Sequence, residues 1–253
     1  MIPHLSLNES AFTSVVLIHG MLVDSSDWDL VTPHLSDYHL LIPDCPGHGR
    51  AAHLPYSVAS SADHIATLIK MKAVKGKAHI IGHSLGALTA LRLASNHPDL
   101  VLSLFVSGFQ VYPTLSSPLA PYGLWTMNRF ENSVPRPLVR WLMDGTDIRS
   151  GKGPSLELCR QILRELGTQQ WPEPWKATTL IVVAGKGGVI PSYDPPEDAR
   201  KLALTAREGG AEVKALKHER LRHPWNRQDP RLWAEVTRAW VQGEEIPGRF
   251  TDL

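Results

Sequence analysis

Gly82-His83-Ser84-Leu85-Gly86 is the stretch whose residue types and spacing point most directly to chemistry. A G-x-S-x-G pattern after an apolar run and before a helical one marks a sharp turn that lifts the serine hydroxyl above the end of a sheet. Small residues two before and two after Ser84 relieve the crowding that Cβ atoms would cause around a strained backbone. An alcohol is a poor nucleophile at neutral pH until a base takes its proton, so Ser84 needs a histidine within hydrogen-bond reach. His19, His48, His83, His218 and His223 are the candidates. His83 adjoins Ser84, but such a turn sends adjacent side chains in different directions, which favours a packed flanking role.

The apolar pattern supplies the elements that must hold these residues. Val15 to Ile18, Tyr38 to Ile42, Ala78 to Ile81, Val101 to Val106 and Thr178 to Val183 are short continuous apolar runs of the kind found in buried parallel strands. Between and after them the spacing predicts helices from Ser25 or Ser26 towards Leu35, over Ser57 to Val74, over Ala87 to Asn96, from Pro195 or Pro196 to Glu208, and over Arg231 to Gln242. Asp27 and Asp29 would favour the dipole in the first turn of the first helix. Glu212 to Leu216 alternates and reads as an edge strand. The rhythm is βαβ, and a parallel sheet gathers its functional loops at the carboxyl ends of its strands. Gly20-Met21, Asp44, Ser84, Gly108, residues 185–194 and the loop around His223 should therefore converge on one edge.

From 108 to 176 the alternation stops. This segment is rich in proline and aromatic residues, with helices expected near Leu138 to Met143 and Ser155 to Leu166. It reads as a lid (cap) insertion, 108–176, over a core formed by 1–107 and 177–253, with Phe109, Trp125 and Trp141 as candidate pocket residues. The plainer alternative is that these aromatics form the insertion's own core.

Lys and Arg number 26 against 25 for Asp and Glu, so no net field favours nucleic acid or an anionic membrane. A small apolar substrate fits better. The N-terminus lacks a basic region followed by an apolar one, and no stretch approaches a membrane span, which places the protein in the cytoplasm. Cys45 and Cys159 read as free, buried thiols. No ligand cluster or phosphate loop calls for a metal or organic cofactor.

Leu17-Ile18-His19-Gly20, Asp44-Cys45-Pro46-Gly47-His48-Gly49, the turn at Ser84, and His223 followed by Pro230 together resemble the α/β-hydrolase fold of small esterase-like enzymes. The resemblance covers most of the chain outside the insertion. It implies a mostly parallel central sheet flanked by helices, Ser84 as nucleophile and His223 as general base, with His218 the weaker candidate. The oxyanion hole falls to the backbone N–H groups of Leu85 and Met21, while His19 and His48 brace their loops. The acid departs from the pattern, since Gly185-Lys186-Gly187-Gly188 has glycine where the acid is expected and Ser107-Gly108-Phe109 is also empty. Asp194 could fold back to orient His223, and Asp144 or Asp147 could descend from the insertion, whereas Glu197 and Asp198 read as helix-start residues.

The expected activity is hydrolysis of an ester, thioester or related acyl group of a small, largely apolar molecule. A missing acid would favour a second reading, a lyase or cyclase acting on an activated carbonyl, because the His-Gly and Pro-Gly-His-Gly loops are also similar to those of lyase-type members such as the menaquinone-pathway synthase. A non-catalytic binding module is a third reading, and the intact turn argues against it.

Overall fold

Strands covered on both faces should be buried at every residue, and Ser14–Ile18, His39–Pro43 and Thr179–Ala184 are. A computed structural model describes residues 1–111, 117–148, 153–187 and 192–253. Its strands are β1 (His4–Leu7), β2 (Ser14–Ile18), β3 (His39–Pro43), β4 (Ala78–His83), β5 (Val101–Ser107), β6 (Thr179–Ala184), β7 (Val213–His218) and β8 (Thr251–Asp252). They form one sheet in the order β1-β3-β2-β4-β5-β6-β7-β8. Strands β3 to β7 pair in parallel through β2, and antiparallel β1 and β8 close the two edges. β7 is therefore not an edge strand, because the two-residue β8 covers it. Register pairs Ile18 with Gly82, His83 with Ser107, and Ala184 with His218, so the strand ends line up. The order reverses between β2 and β4, the crevice where open α/β sheets bind ligands.

The helices are α1 (Val58–Lys72), α2 (Leu85–Asn96), α3 (Ala120–Ser133), α4 (Arg136–Leu142), α5 (Leu156–Gly167), α6 (Pro196–Glu208), α7 (Trp225–Gln228) and α8 (Pro230–Gln242). Helices α1, α2, α5 and α6 pack on one sheet face; α7 and α8 cover the other with Trp225 and Trp233, both fully buried. Ser57 caps α1 by accepting from Ser60 N–H.

The helix expected from Ser25 towards Leu35 is instead two 3₁₀ turns, Ser25–Trp28 and Thr32–His34. Asp24, not Ser25 or Ser26, caps the first by accepting from Ser26 N–H at 2.9 Å. Pro33 has no amide hydrogen with which to continue a helix.

Within the insertion, α3 was not apparent in the sequence pattern, and α4 and α5 lie where helices were expected. α5 buries Leu158, Cys159, Ile162 and Leu166 in the same core as α1 and α2. It also holds the approach to α1, Gln161 accepting from Tyr56 N–H at 2.7 Å and Glu165 from Val58 N–H at 2.9 Å. α3 buries only Asn128 and α4 buries none of its residues. Cys45 and Cys159 are buried and free. Among the described residues no helix is long and apolar enough to cross a membrane.

Candidate active site

Ser84 sits between β4 and α2 with φ 55° and ψ −119°, a left-handed conformation costly for any residue with a side chain. Its N–H donates to Ser107 O at 2.8 Å, tying the turn to β5. The flanking glycines are required by contact. A Cβ on Gly82 would lie 2.4 Å from Gly86 O, and one on Gly86 would lie 2.3 Å from Ile18 O.

Gly20 reaches the same point from β2, its would-be Cβ 3.3 Å from Ser84 Cβ. His19 fixes that loop by donating from Nδ1 to Gly20 O at 2.8 Å and accepting at Nε2 from Cys45 N–H at 3.0 Å. His48 donates to Pro46 O at 2.9 Å and packs edge-on against His19. Burial lowers both imidazoles, His48 to about 3, which keeps them neutral. Leu85 opens α2, so its N–H has no intrahelical acceptor. Met21 follows Gly20 on the cavity wall.

His223 comes from the loop before α7, its N–H donating to Ser192 O at 2.7 Å. Nδ1 meets Asp194 Oδ1 at 2.5 Å. Asp194 is in turn docked on the end of β6. Its N–H donates to Ala184 O at 2.8 Å, and its Oδ2 accepts from Ala184 N–H at 2.8 Å. With Nδ1 donating to the carboxylate, Nε2 is the acceptor nitrogen of the neutral ring. Burial alone would lower the His223 pKa, but the charge and hydrogen bond of Asp194, with a smaller contribution from Asp27, raise it above the ordinary imidazole value. Gly108 makes room for the ring, since a Cβ there would lie 2.7 Å from His223 Cε1.

Ser84 and His223 border one cavity of about 350 Å³, together with Gly20, Met21, Val23 and Asp27. Among the described residues no hydrogen bond joins Ser84 Oγ to His223; such bonds are often loose before substrate binds. A second cavity, of about 550 Å³, runs beneath α3 and α4 and shares His223, Pro224 and Ile148 with the first.

The remaining sequence candidates lie elsewhere. His83 is buried against His223 and Trp233, and burial, then the neighbouring His223, hold it well below the usual imidazole range. His218 packs on Phe250. Asp144 pairs with Lys186 and Arg222, Asp147 with Arg227, and Asp198 accepts from Val111 N–H. Gly188 lies outside the described residues.

None of the three proposed pocket aromatics borders the cavity that Ser84 and His223 share. Phe109 is buried edge-on against Trp171, Trp125 packs on the core beneath Arg129, and Trp141 is 77% exposed. The physical reason is that α4 turns its aromatic face to solvent while Phe109 turns into the core. Asp27 and Asn226 border the cavity instead. Asp27 stands in the first turn of the 3₁₀ helix Ser25–Trp28, where the sequence placed it.

A mostly parallel sheet of this order, with a serine turn after β4 and a histidine–carboxylate pair after β6 and β7, is the α/β-hydrolase architecture. Residues 15–245 match the model of the alpha/beta hydrolase family, and the chain belongs to that family. An AB hydrolase superfamily protein of Gibberella zeae is 36% identical over 242 residues, 94% of this chain and 83% of that protein. A pimeloyl-[acyl-carrier protein] methyl ester esterase of Neisseria meningitidis is 41% identical over 96 residues, only 37% of this chain and 35% of that enzyme. The 2-succinyl-6-hydroxy-2,4-cyclohexadiene-1-carboxylate synthase of an Enterobacter species is 33% identical over 100 residues, 38% of each chain. A thermophilic esterase structure from Thermogutta terrifontis superposes with a TM-score of 0.67 at 16% identity, covering 95% of this chain and 98% of that one, which is a likeness of fold.

Proposed function

We propose that the protein is a serine hydrolase that cleaves an ester, thioester or related acyl group of a small, largely apolar molecule. The observation that carries this reading is the Asp194–His223 pair at 2.5 Å on the wall of the cavity that Ser84 enters. Asp194 holds His223 with Nε2 free to take the Ser84 proton as Oγ attacks the acyl carbon. The backbone N–H groups of Met21 and Leu85 stabilise the oxyanion of the tetrahedral intermediate, being already oriented where charge develops. His223 returns the proton to the leaving group, and water then releases the acyl group by the same steps. Residues 108–176 act as the cap over this cavity, with the second cavity beneath α3 and α4 taking one arm of the substrate. The likeness to the methyl ester esterase of Neisseria meningitidis supports this chemistry.

A fluorophosphonate probe should label Ser84, detected by intact mass and peptide mapping, and Ser84→Ala should abolish both label and turnover. Folded protein that stays unlabelled, with turnover retained in Ser84→Ala, would overturn the assignment. The likeness to the Enterobacter synthase sustains a second reading, a lyase acting on an activated carbonyl. Burst release of 4-nitrophenol from a 4-nitrophenyl ester, which reports an acyl-enzyme, would exclude it.

A further inference from the structure

Asp27 touches none of the reacting atoms above, yet it borders the same cavity as Ser84 and His223. It is 6% exposed, and one carboxylate oxygen, Oδ2, accepts from Asn226 Nδ2 at 3.0 Å. Arg227 does not neutralise it through a direct bond. That guanidinium donates to the Asp27 backbone carbonyl at 3.1 Å and pairs with Asp29 and Asp147. Among the described residues no hydrogen bond reaches Asp27 Oδ1. Asn226 is fully buried, borders the cavity, and its Oδ1 has no hydrogen-bond partner.

Two residues that border the cavity thus each hold an acceptor without a donor, and the other lining includes Met21, Val23, Ile148 and Pro224. A buried polar group left unpaired is costly, so such a wall is suited to a ligand that supplies the donor. Burial pushes the Asp27 carboxyl up to about 6, so it is an anionic acceptor at neutral pH. An ammonium donor is disfavoured, because Arg227 borders the same cavity and His223 becomes cationic during turnover. A hydroxyl donates without adding charge.

We propose that Asp27 is a specificity-determining residue that accepts a hydrogen bond from a hydroxyl group of the substrate, so that hydroxylated esters are the preferred class. The proposal rests on the serine-hydrolase reading, and it leaves open whether the hydroxyl sits on the acyl or the alcohol side. Volume-matched pairs separate these cases. Ethyl 3-hydroxybutanoate against ethyl 3-methylbutanoate reads the acyl side, and 2-hydroxyethyl butanoate against propyl butanoate reads the alcohol side.

At neutral pH, kcat/KM should favour the hydroxylated member of one pair by about tenfold or more, since a site built to bond a hydroxyl rejects the analogue lacking it. In Asp27→Leu the preference should collapse to near one. Asp27→Asn keeps the shape and a neutral acceptor, so it should give an intermediate ratio. Comparing two substrates within one protein cancels general damage to folding or catalysis. A wild-type ratio near one in both pairs, or a preference unchanged in both variants, would overturn the proposal. Calorimetric affinities of the same pairs for Ser84→Ala protein read the ratio without turnover. Failure of the hydrolase reading would show instead as no turnover and no Ser84 labelling.

Discussion

The turn at Ser84 and the pair of helices α3 and α4 are built on opposite principles. The two glycines flanking Ser84 are limited by backbone atoms, so that a single methyl group on Gly82 or Gly86 would collide with a carbonyl oxygen. In α3 and α4 most side chains face solvent, Phe130 is 71% exposed, and a Cβ on Gly123 would meet nothing within 4 Å. The difference teaches that Ser84 is held by main-chain contacts at the end of the sheet, while the outer helices carry few contacts that would resist change.

The largest expected effect is at the turn itself. Ser84→Ala should lower kcat by roughly 10⁶-fold with the thermal unfolding profile nearly unchanged, measured on any ester that the wild type turns over. Asp194→Asn comes next, at roughly 10³- to 10⁴-fold in kcat. It should also move the pH profile. With neutral His223 as the base in the proposed mechanism, kcat/KM should rise with pH through an imidazole value raised above 6.5. Without the Asp194 charge, burial dominates and the rise should shift to lower pH. A profile that stays in place in Asp194→Asn would show that this carboxylate does not set the base.

Two glycine substitutions test the contrast directly. Gly86→Ala should destabilise by about 3 kcal/mol or more in denaturant unfolding, because the atoms that must move are Ile18 O and His19 O. Gly123→Ala, in the interior of α3, should stabilise by about 0.5–1 kcal/mol. Similar values at the two sites would erase the distinction.

The Asp27 carboxyl sharpens it from the other side. Its folded pKa of about 6 lies above the ordinary 3.8, so the folded state holds this proton more tightly than the unfolded chain does. Stability from this group is therefore greatest below 3.8, declines as pH rises towards 6, and stays low above that. Asp27→Asn removes the titration and should gain roughly 3 kcal/mol over wild type at pH 7.5, with little gain at pH 4. The comparison is made by urea unfolding at the two pH values.

How much of this was legible in the sequence follows from how local each determinant is. The turn at Ser84 could be read because strand, glycines and helix are contiguous, and the buried runs of β2 to β6 gave the sheet. β1 and β8 are short edge pieces whose alternation is too brief to register. α3 was hidden by Gly123 and by a polar composition that matches its exposure. His223 could be placed only by resemblance. Asp194 could not be placed at all by spacing, because its position is set by closure of a loop on Ala184. Asp27 stands in a first helical turn as expected, but its partner could not be read for a related reason. Its side chain gains meaning only beside Asn226, which lies 199 residues away in the chain.

The docking of Asp194 on Ala184 has an evolutionary consequence. Ala184 and Asp194 exchange two hydrogen bonds, one from each backbone N–H, so the two ends of the intervening segment are clamped to each other. The carboxylate is thereby located by the strand end rather than by its count along the chain. Insertions or deletions between Lys186 and Ser192 would therefore leave the carboxylate in place, so long as the contacts of Gly185, Lys186 and Ser192 with His218, Leu221 and His223 persist.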